Sequence, residues 1–271
     1  MLNNYIPTVL TIAGSDPYGG AGVQIDTKVV HALGGYALCV TTALTAQNSI
    51  GVKDVLITPI EHFKLQLYMI LDDIEVDAVK IGMLANAEII DVVVEAIKKY
   101  KLKNIVLDTV LVSSSGKELL EPKSIEIMTQ KLFPLVDIIT PNIPEVNRLL
   151  DTDYIAKENE IEAMAKGLFD LGAKAVLIKG GHSEERENST DYFVTPVTKP
   201  MAFTTARLHT THTHGTGCVL SSAITVSLAK GNGMEKSITE AKEFLYQKFH
   251  TSTTLKFNYR DKEIKRKEPL I

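Results

Sequence analysis

The sequence predicts an α/β protein: a three-layer α/β/α sandwich with a mostly parallel central sheet and a small edge hairpin. Short apolar segments rich in β-branched residues alternate with amphipathic segments, a pattern typical of a parallel sheet covered by helices on both faces. No linker rich in proline, glycine or serine divides the chain. We therefore expect one domain over residues 1–271, with a sizeable core because 45% of the residues are hydrophobic.

Strands are predicted where short apolar runs end in turn residues. In chain order they cover residues 8–15, 36–46, 52–59, 76–84, 103–111, 136–142 and 174–182. Helices are predicted where apolar residues recur at helical spacing, with Asn86 as a helix N-cap. They cover residues 22–35, 60–74, 86–100, 121–133, 143–150, 159–173, 215–231 and 234–255. Residues 191–196 and 201–210 are predicted to form the edge hairpin.

Charge and composition limit the partners that the protein can bind. A net charge of −4, with 23% charged residues, argues against a general nucleic-acid or membrane-surface binder. No apolar stretch is long enough to span a bilayer, and the first residues lack the pattern of a secretory signal, so we expect a cytoplasmic protein. Two cysteines, Cys39 and Cys218, do not make a disulfide framework.

Glycines and polar residues cluster after the predicted strands, where ligands bind in open α/β sheets. The first of these segments, AGSDPYGGAGVQID (residues 13–26), carries four glycines before and at the start of a helix. It is not a dinucleotide fingerprint, because Ile25 stands where a glycine is needed, and the chain contains no P-loop motif. A glycine-rich turn without a function is the alternative for this segment.

Further polar or flexible side chains follow the later strands. They are Gln47, Met83, Asp108, Asn142, Glu145 and Lys179. Taken singly, each has an ordinary explanation, such as a loop amide, a core methionine or a strand-end cap. Together they predict a cleft in which Asp108 and Glu145 can supply oxygen ligands to Mg²⁺, which usually binds through one or two carboxylates plus substrate phosphate. Lys179 can meet a phosphate as a point charge.

Three chemistries compete for the segment HTHGTGC (residues 212–218). A structural zinc site needs four ligands, and a redox site needs a second cysteine two residues away; the sequence favours neither. The Gly-Thr-Gly turn before a helix favours an anion site made of backbone N–H groups. Such a site lowers the pKa of a nearby thiol, so we expect Cys218 to be partly thiolate and able to take a proton. A small buried cysteine is the alternative.

Seven segments in a fixed order carry a resemblance to a known family. They are LTIAGSDPYGGAGVQID, TALTAQNSIGV, KIGMLA, VLDTV, TPNIPE, VLIKGGH and THGTGC. With these segments the chain resembles the hydroxymethylpyrimidine/phosphomethylpyrimidine kinases of thiamine biosynthesis, within the ribokinase-like superfamily. The resemblance runs from about Thr8 to the helix that begins near Gly215, and the ordered set is far more specific than any one segment.

The resemblance implies a ribokinase-like fold, the cofactors ATP and Mg²⁺, and phosphorylation of a hydroxymethyl group and then of the resulting monophosphate. Carried over residue by residue, the pyrimidine site consists of Gly14, Asp26, Gln47, Met83 and Val110. The ATP phosphates are expected at Asn142, Lys179, Thr213, Gly215, Thr216 and Gly217. Asp108 and Glu145 fall where the family handles Mg²⁺. Cys218 matches the cysteine proposed as base for the substrate hydroxyl. A small-molecule partner, with no nucleic acid or membrane, follows from the resemblance, and a homodimer is compatible with it.

Three features depart from the family pattern. Ser113-Ser114-Ser115-Gly116 stands where the family often has Ala-Lys-Ser-Gly, which predicts the loss of one phosphate-facing charge and a weaker second step. His212 stands where the family has asparagine, and it adds a group that titrates near neutrality. The C-terminus lacks the Gly-Pro-x-x-His ending that is frequent in relatives.

Two other functions stay open from the sequence. A pyridoxal or pyridoxine kinase is one, because related enzymes share the cysteine and its anion hole. Gln47 favours the aminopyrimidine, since one amide can match the donor and the acceptor on that ring edge. A non-catalytic ligand-binding paralogue is the other, motivated by Ser114, His212 and the altered tail, whereas the presence of Cys218, Lys179 and Asp108 favours an enzyme.

Overall fold

The structure, a computed structural model, describes residues 5–48, 51–113, 116–155, 157–182, 187–207 and 214–250. Within these residues nine strands form one sheet. In chain order they are β1 (Thr8–Ser15), β2 (Tyr36–Asn48), β3 (Gly51–Ile57), β4 (Ala78–Ile81), β5 (Ile105–Leu107), β6 (Ile138–Ile139), β7 (Val176–Ile178), β8 (Asn188–Val194) and β9 (Met201–Ala206). Their order across the sheet is β3-β2-β1-β4-β5-β6-β7-β8-β9.

The sheet confirms the predicted mostly parallel arrangement. Strands β1, β2 and β4 to β7 run parallel to one another. The predicted hairpin is β8–β9, antiparallel at one edge. Strand β8 is also antiparallel to β7. At the opposite edge, β2 and β3 form another antiparallel pair, which the sequence does not predict. Strand β3 lies along the edge of β2 that faces away from β1, and Leu44 of β2 pairs with both of these neighbours.

Four predicted strands are shorter than expected. Residues 76–84, 103–111, 136–142 and 174–182 contain only β4, β5, β6 and β7 as paired strands. The chain leaves the sheet after each of them, and the next side chains bind one another: Lys179 Nζ lies 2.8 Å and Thr140 Oγ1 3.2 Å from Asp108 Oδ1. Early exit from the sheet therefore gathers these polar groups at one edge.

The helices lie mostly where the sequence predicts them. They are α1 (Gly22–Ala32), α2 (Ile60–Leu71), α3 (Ala87–Tyr100), α4 (Pro122–Ile127), α5 (Ile143–Leu150), α6 (Ile161–Asp170), α7 (Thr216–Ala229) and α8 (Met234–His250). The predicted cap of α3 is confirmed, since Asn86 accepts a hydrogen bond from the Ile89 N–H at 3.0 Å. The predicted helix 121–133 is α4 followed by a π-helical turn, Met128–Leu132. None of the helices in the described ranges is long and apolar enough to cross a membrane.

Helices cover both faces of the sheet, which confirms the three layers. Leu10, Ile12, Val79 and Ile81 point into the core formed with α2 to α6. The core on the opposite face is formed with α1, α7 and α8. Because side chains alternate along a strand, Lys80 of β4 points to this second face, between the sheet and the layer of α1 and α7.

Candidate active site

A cavity opens at the carboxyl ends of the parallel strands, between the loop after β1, the end of β2 and the turn before α7. Its wall brings together most of the residues that the sequence singled out: Gly14, Gln47, Met83, Asp108, Val110, Asn142, Glu145, Lys179, Gly215, Gly217 and Cys218. Asp26 and Thr216 are not part of the wall. His212 and Thr213 lie outside the described residues. The sequence rule that places ligands at strand exits thus locates the cavity.

Asp16 organises the glycine loop, and the sequence analysis missed it. Its side chain is buried, and the carboxylate accepts hydrogen bonds from the backbone N–H groups of Tyr18 at 2.9 Å, Gly20 at 3.0 Å and Ala21 at 2.8 Å. Gly22 has a φ of +58°, and a Cβ there would overlap the carbonyl oxygen of Gly14. The loop therefore needs both the acid and the glycine, and an acidic residue inside a glycine-rich loop was the available signal.

The turn before α7 packs directly on the glycine loop. Gly215 caps the helix with a φ of +81°, and a Cβ there would overlap the carbonyl oxygen of Gly20. His214 Nε2 lies 3.1 Å from Asp16 Oδ2. Burial alone would raise the pKa of Asp16, but hydrogen bonds from His214 and Gln47 hold that pKa below its ordinary value. An ionised carboxylate only accepts, so Nε2 carries the proton, and His214 gains the role that the sequence left unassigned.

Lys179 and Asp108 form a buried ion pair across the start of α7. A Cβ added to Gly217 would lie 3.2 Å from Lys179 Nζ and 3.4 Å from Asp108 Oδ2, so the glycine leaves these groups uncovered. Burial opposes the charge of both partners. Lys179 and Lys80 nevertheless hold the pKa of Asp108 below its usual range, and Asp108 and Glu145 hold the pKa of Lys179 above its usual range. The site thus contains a fixed cation beside a helix N-terminus.

Glu145 and Asn142 build a capping box at the start of α5. Glu145 Oε2 accepts from the Asn142 N–H at 2.8 Å, and Asn142 Oδ1 accepts from the Glu145 N–H at 2.9 Å. Thr109 Oγ1 donates to the same Glu145 oxygen at 3.1 Å. Burial raises the pKa of Glu145 to about 7, with Lys179 opposing and Asp108 reinforcing the shift. This carboxyl group therefore titrates near neutral pH.

Asp108 and Glu145 fit Mg²⁺ as partial ligands. Among the described residues, no group of three or more His, Cys, Asp or Glu side chains could hold a metal by itself. Within that same part of the chain, every hydrogen bond to the Glu145 carboxylate falls on Oε2, which leaves Oε1 as a hard oxygen donor. Two carboxylates match an ion that completes its shell with water and phosphate oxygens.

Cys218 lies on the cavity wall, but its thiol is not acidic. Burial raises the pKa of Cys218 to about 11. The Lys80 ammonium and the Gly22 N–H lower this pKa, whereas Asp26 and Asp108 raise it further. The expectation of a partly ionised thiol at neutral pH is therefore wrong, because desolvation outweighs the helix N-terminus.

Asp26 lies behind the cavity, and Lys80 takes its place on the wall. The Asp26 carboxylate is fully buried and accepts from Thr11 Oγ1 at 2.6 Å, Lys80 Nζ at 2.9 Å and Ser222 Oγ at 2.8 Å. The family resemblance implies Asp26 in the pyrimidine site, whereas Lys80 is not among the residues that it implies. A lysine between apolar residues of a buried strand, in AVKI, was the signal for it.

Comparisons with known proteins place the chain in a family of kinases. A family model described as phosphomethylpyrimidine kinase matches residues 16–262. The hydroxymethylpyrimidine/phosphomethylpyrimidine kinase of Salmonella typhimurium is 41% identical over 246 residues, covering 91% of this chain and 92% of that protein. The solved phosphomethylpyrimidine kinase of Clostridium difficile is 36% identical, with a TM-score of 0.77 over 90% of this chain and all of that one. The ADP complex of Bacillus subtilis pyridoxal kinase is 35% identical, with a TM-score of 0.81 over 89% and 90%.

Proposed function

The chain belongs to the phosphomethylpyrimidine kinase family, and we propose that it phosphorylates 4-amino-5-hydroxymethyl-2-methylpyrimidine and then its monophosphate, with ATP as donor, in thiamine biosynthesis. One observation carries the proposal. A single cavity joins a side-chain amide, Gln47, to a buried cation, Lys179, and to the N-terminus of α7. These are the groups that an aminopyrimidine alcohol and a phosphate require.

The pyrimidine end of the cavity is formed by Gln47, Met83 and Val110. The Gln47 amide offers one acceptor and a donor pair, which suits the amino group and the adjacent ring nitrogen of an aminopyrimidine. Its hydrogen bond to ionised Asp16 uses one amide N–H and so fixes which way the amide points. Met83 and Val110 supply apolar contacts to the ring faces.

The phosphate end is formed by Lys179, Asn142 and the turn from Gly215 to Gly217. Backbone N–H groups at the start of α7 and the Lys179 ammonium favour the charge on the transferring phosphoryl group. Bound Mg²⁺ neutralises phosphate charge, and we propose Asp108 and Glu145 as its protein ligands. Thr213 and Thr216 stay proposed as contacts to ATP; Thr216 is not part of the cavity wall, and Thr213 lies outside the described residues.

Phosphoryl transfer requires alignment more than covalent help from the protein. The substrate hydroxyl oxygen bonds to the γ-phosphorus, the bond from that phosphorus to the bridging oxygen breaks, and ADP leaves. The hydroxyl proton passes to the Cys218 thiolate, which becomes the thiol and later loses the proton to solvent. Because the pKa of Cys218 is about 11, the proposed base is scarce at neutral pH and its fraction grows as the pH rises.

Pyridoxal phosphorylation is the second candidate, since the Bacillus subtilis pyridoxal kinase has this fold at 35% identity. The test incubates the purified protein with Mg-ATP and either alcohol, and follows the products by mass spectrometry. We expect the pyrimidine monophosphate first and the pyrophosphate more slowly, because the family's loop lysine is a serine in segment 113–116. Faster phosphorylation of pyridoxal would overturn the proposal, and binding without turnover would indicate a non-catalytic paralogue.

Assembly and location are part of the same proposal. We expect a small-molecule alcohol as partner, no nucleic acid or membrane, a cytoplasmic location and a homodimer. Light scattering on the purified protein measures the assembly, and a monomeric mass would contradict that part.

A further inference from the structure

Lys80 is a buried cation on the floor of the cavity. Its side chain is 1% exposed, and its Nζ lies 2.9 Å from Asp26 Oδ2. Within the described residues Asp26 is the one hydrogen-bond acceptor of this ammonium, which carries three N–H donors. Lys80 also lines the cavity together with Cys218. A buried charge with spare donors is costly unless another group uses it.

Asp26 holds the ammonium in one place. The carboxylate receives hydrogen bonds from three elements: Thr11 of β1, Lys80 of β4 and Ser222 of α7. A Cβ at Gly82 would lie 2.8 Å from Lys80 Nζ and 3.0 Å from the Ala13 Cβ, so the glycine gives the ammonium its room. The charge is therefore fixed by the fold before any ligand binds.

We propose that Lys80 is a positioning residue for phosphoryl transfer: its ammonium, held by Asp26 beneath the start of α7, stabilises the Cys218 thiolate that receives the substrate proton. The inference rests on the proposed function for its catalytic meaning. The stabilisation of the Cys218 thiolate by Lys80 involves only these two side chains, and it can be measured without any substrate. Because Lys80 is buried and Cys218 is only partly exposed, their interaction is weakly screened by solvent.

The charges around Cys218 have opposite effects, which makes the inference testable. Burial is the largest influence on the thiol pKa and raises it. Lys80 lowers the pKa, whereas Asp26 and Asp108 raise it, and the Gly22 N–H lowers it. Lys179 also interacts with the thiolate, from the phosphate end of the cavity. A variant without Lys80 should therefore raise the pKa of the Cys218 thiol, and a variant without the Asp26 charge should lower it.

The experiment measures alkylation of Cys218 by iodoacetamide from pH 7 to pH 10 in the full-length protein, with each cysteine resolved by mass spectrometry. In Lys80→Met we expect Cys218 to react about tenfold more slowly at a given pH, the change that one pKa unit produces. In Asp26→Asn we expect it to react faster. Cys39 is the internal control for Lys80→Met, because Asp26 but not Lys80 is among the groups that shift its pKa. Equal rates in all three proteins, or shifts of the same sign, would overturn the inference.

Removing one partner of a buried ion pair can unfold a protein, so a neutral pair is the second variant. Lys80→Met combined with Asp26→Asn leaves no uncompensated charge. Since the Lys80 effect on Cys218 is the larger of the two, this variant should still alkylate more slowly than the wild type. A rate equal to or above that of the wild type would refute the role of Lys80.

Kinetics separate this inference from the proposed function. With the pyrimidine alcohol, Lys80→Met should lower kcat and displace the alkaline rise of kcat to higher pH, with KM little changed. An unchanged pH profile would contradict the role in transfer. A wild-type protein that phosphorylates no pyrimidine, but shows the opposite alkylation shifts, would reject the proposed function and keep the electrostatic assignment.

Discussion

Replacing Asp16 by asparagine should lower the stability of the protein and weaken the contacts that hold the glycine loop. Its carboxylate accepts three backbone N–H groups of the glycine loop and the His214 ring N–H. Asparagine keeps one acceptor oxygen, and at the Oδ2 position this oxygen still serves Gly20, Ala21 and His214. The Tyr18 N–H then faces an amide N–H in place of Oδ1, at about 1–3 kcal/mol for the lost partner. We expect a loss of about 2 kcal/mol, which at roughly 2–4 °C per kcal/mol lowers Tm by about 4–8 °C.

Thermal unfolding followed by circular dichroism measures this change. The folded pKa of Asp16 is lowered, so its contribution is present above the unfolded pKa and is lost as pH falls through the folded value. The difference in Tm between the wild type and Asp16→Asn should therefore stay constant from pH 6 to pH 8. Asp91→Asn is a matched control, because that acid makes one half-exposed ion pair with Lys131. A Tm for Asp16→Asn within about 1 °C of the control would refute this reading of the loop.

Two variants and one pH profile test other parts of the site. Gly215→Ala should lower kcat/KM by about a hundredfold or more, the scale of a lost transition-state donor, because its Cβ overlaps Gly20. The control is Gly231→Ala, with a φ of +83° and open space around it, which should keep wild-type activity. Gln47→Leu should raise KM for the aminopyrimidine about tenfold to a hundredfold, as expected for two lost hydrogen bonds, and an unchanged KM would place the pyrimidine elsewhere. The kcat/KM of the wild type should rise with pH through pH 8 to 10, since the thiol with a pKa of about 11 must lose its proton, and a plateau reached below pH 8 would exclude this thiol as the base.

The arrangement of the sheet and the location of the cavity follow from sequence patterns. Alternating apolar and amphipathic segments predict the parallel strands, and the strand-exit rule then brings Asp108, Asn142, Glu145 and Lys179 to one wall. The hairpin β2–β3 could not be predicted in this way, because the alternation of apolar and amphipathic segments does not indicate that two consecutive strands pair directly.

Burial explains what the sequence analysis missed in the site. Asp26 follows the glycine loop in sequence, yet α1 turns its side chain under Lys80, where it meets Ser222 from the distant helix α7. The acidity of Cys218 depends on desolvation and on three charges from separate elements, whereas the motif alone shows only a helix N-terminus. Such long-range contacts leave no periodic signal in the sequence.

The most direct test of the central claim is a competition between the two candidate alcohols. Equal concentrations of the aminopyrimidine alcohol and pyridoxal, each below its KM, are incubated with Mg-ATP in one tube, and the ratio of the two phosphate esters gives the ratio of kcat/KM values. We predict that the pyrimidine ester predominates and that Gln47→Leu reduces this ratio. Predominance of pyridoxal phosphate, or a ratio that Gln47→Leu leaves unchanged, would contradict the account.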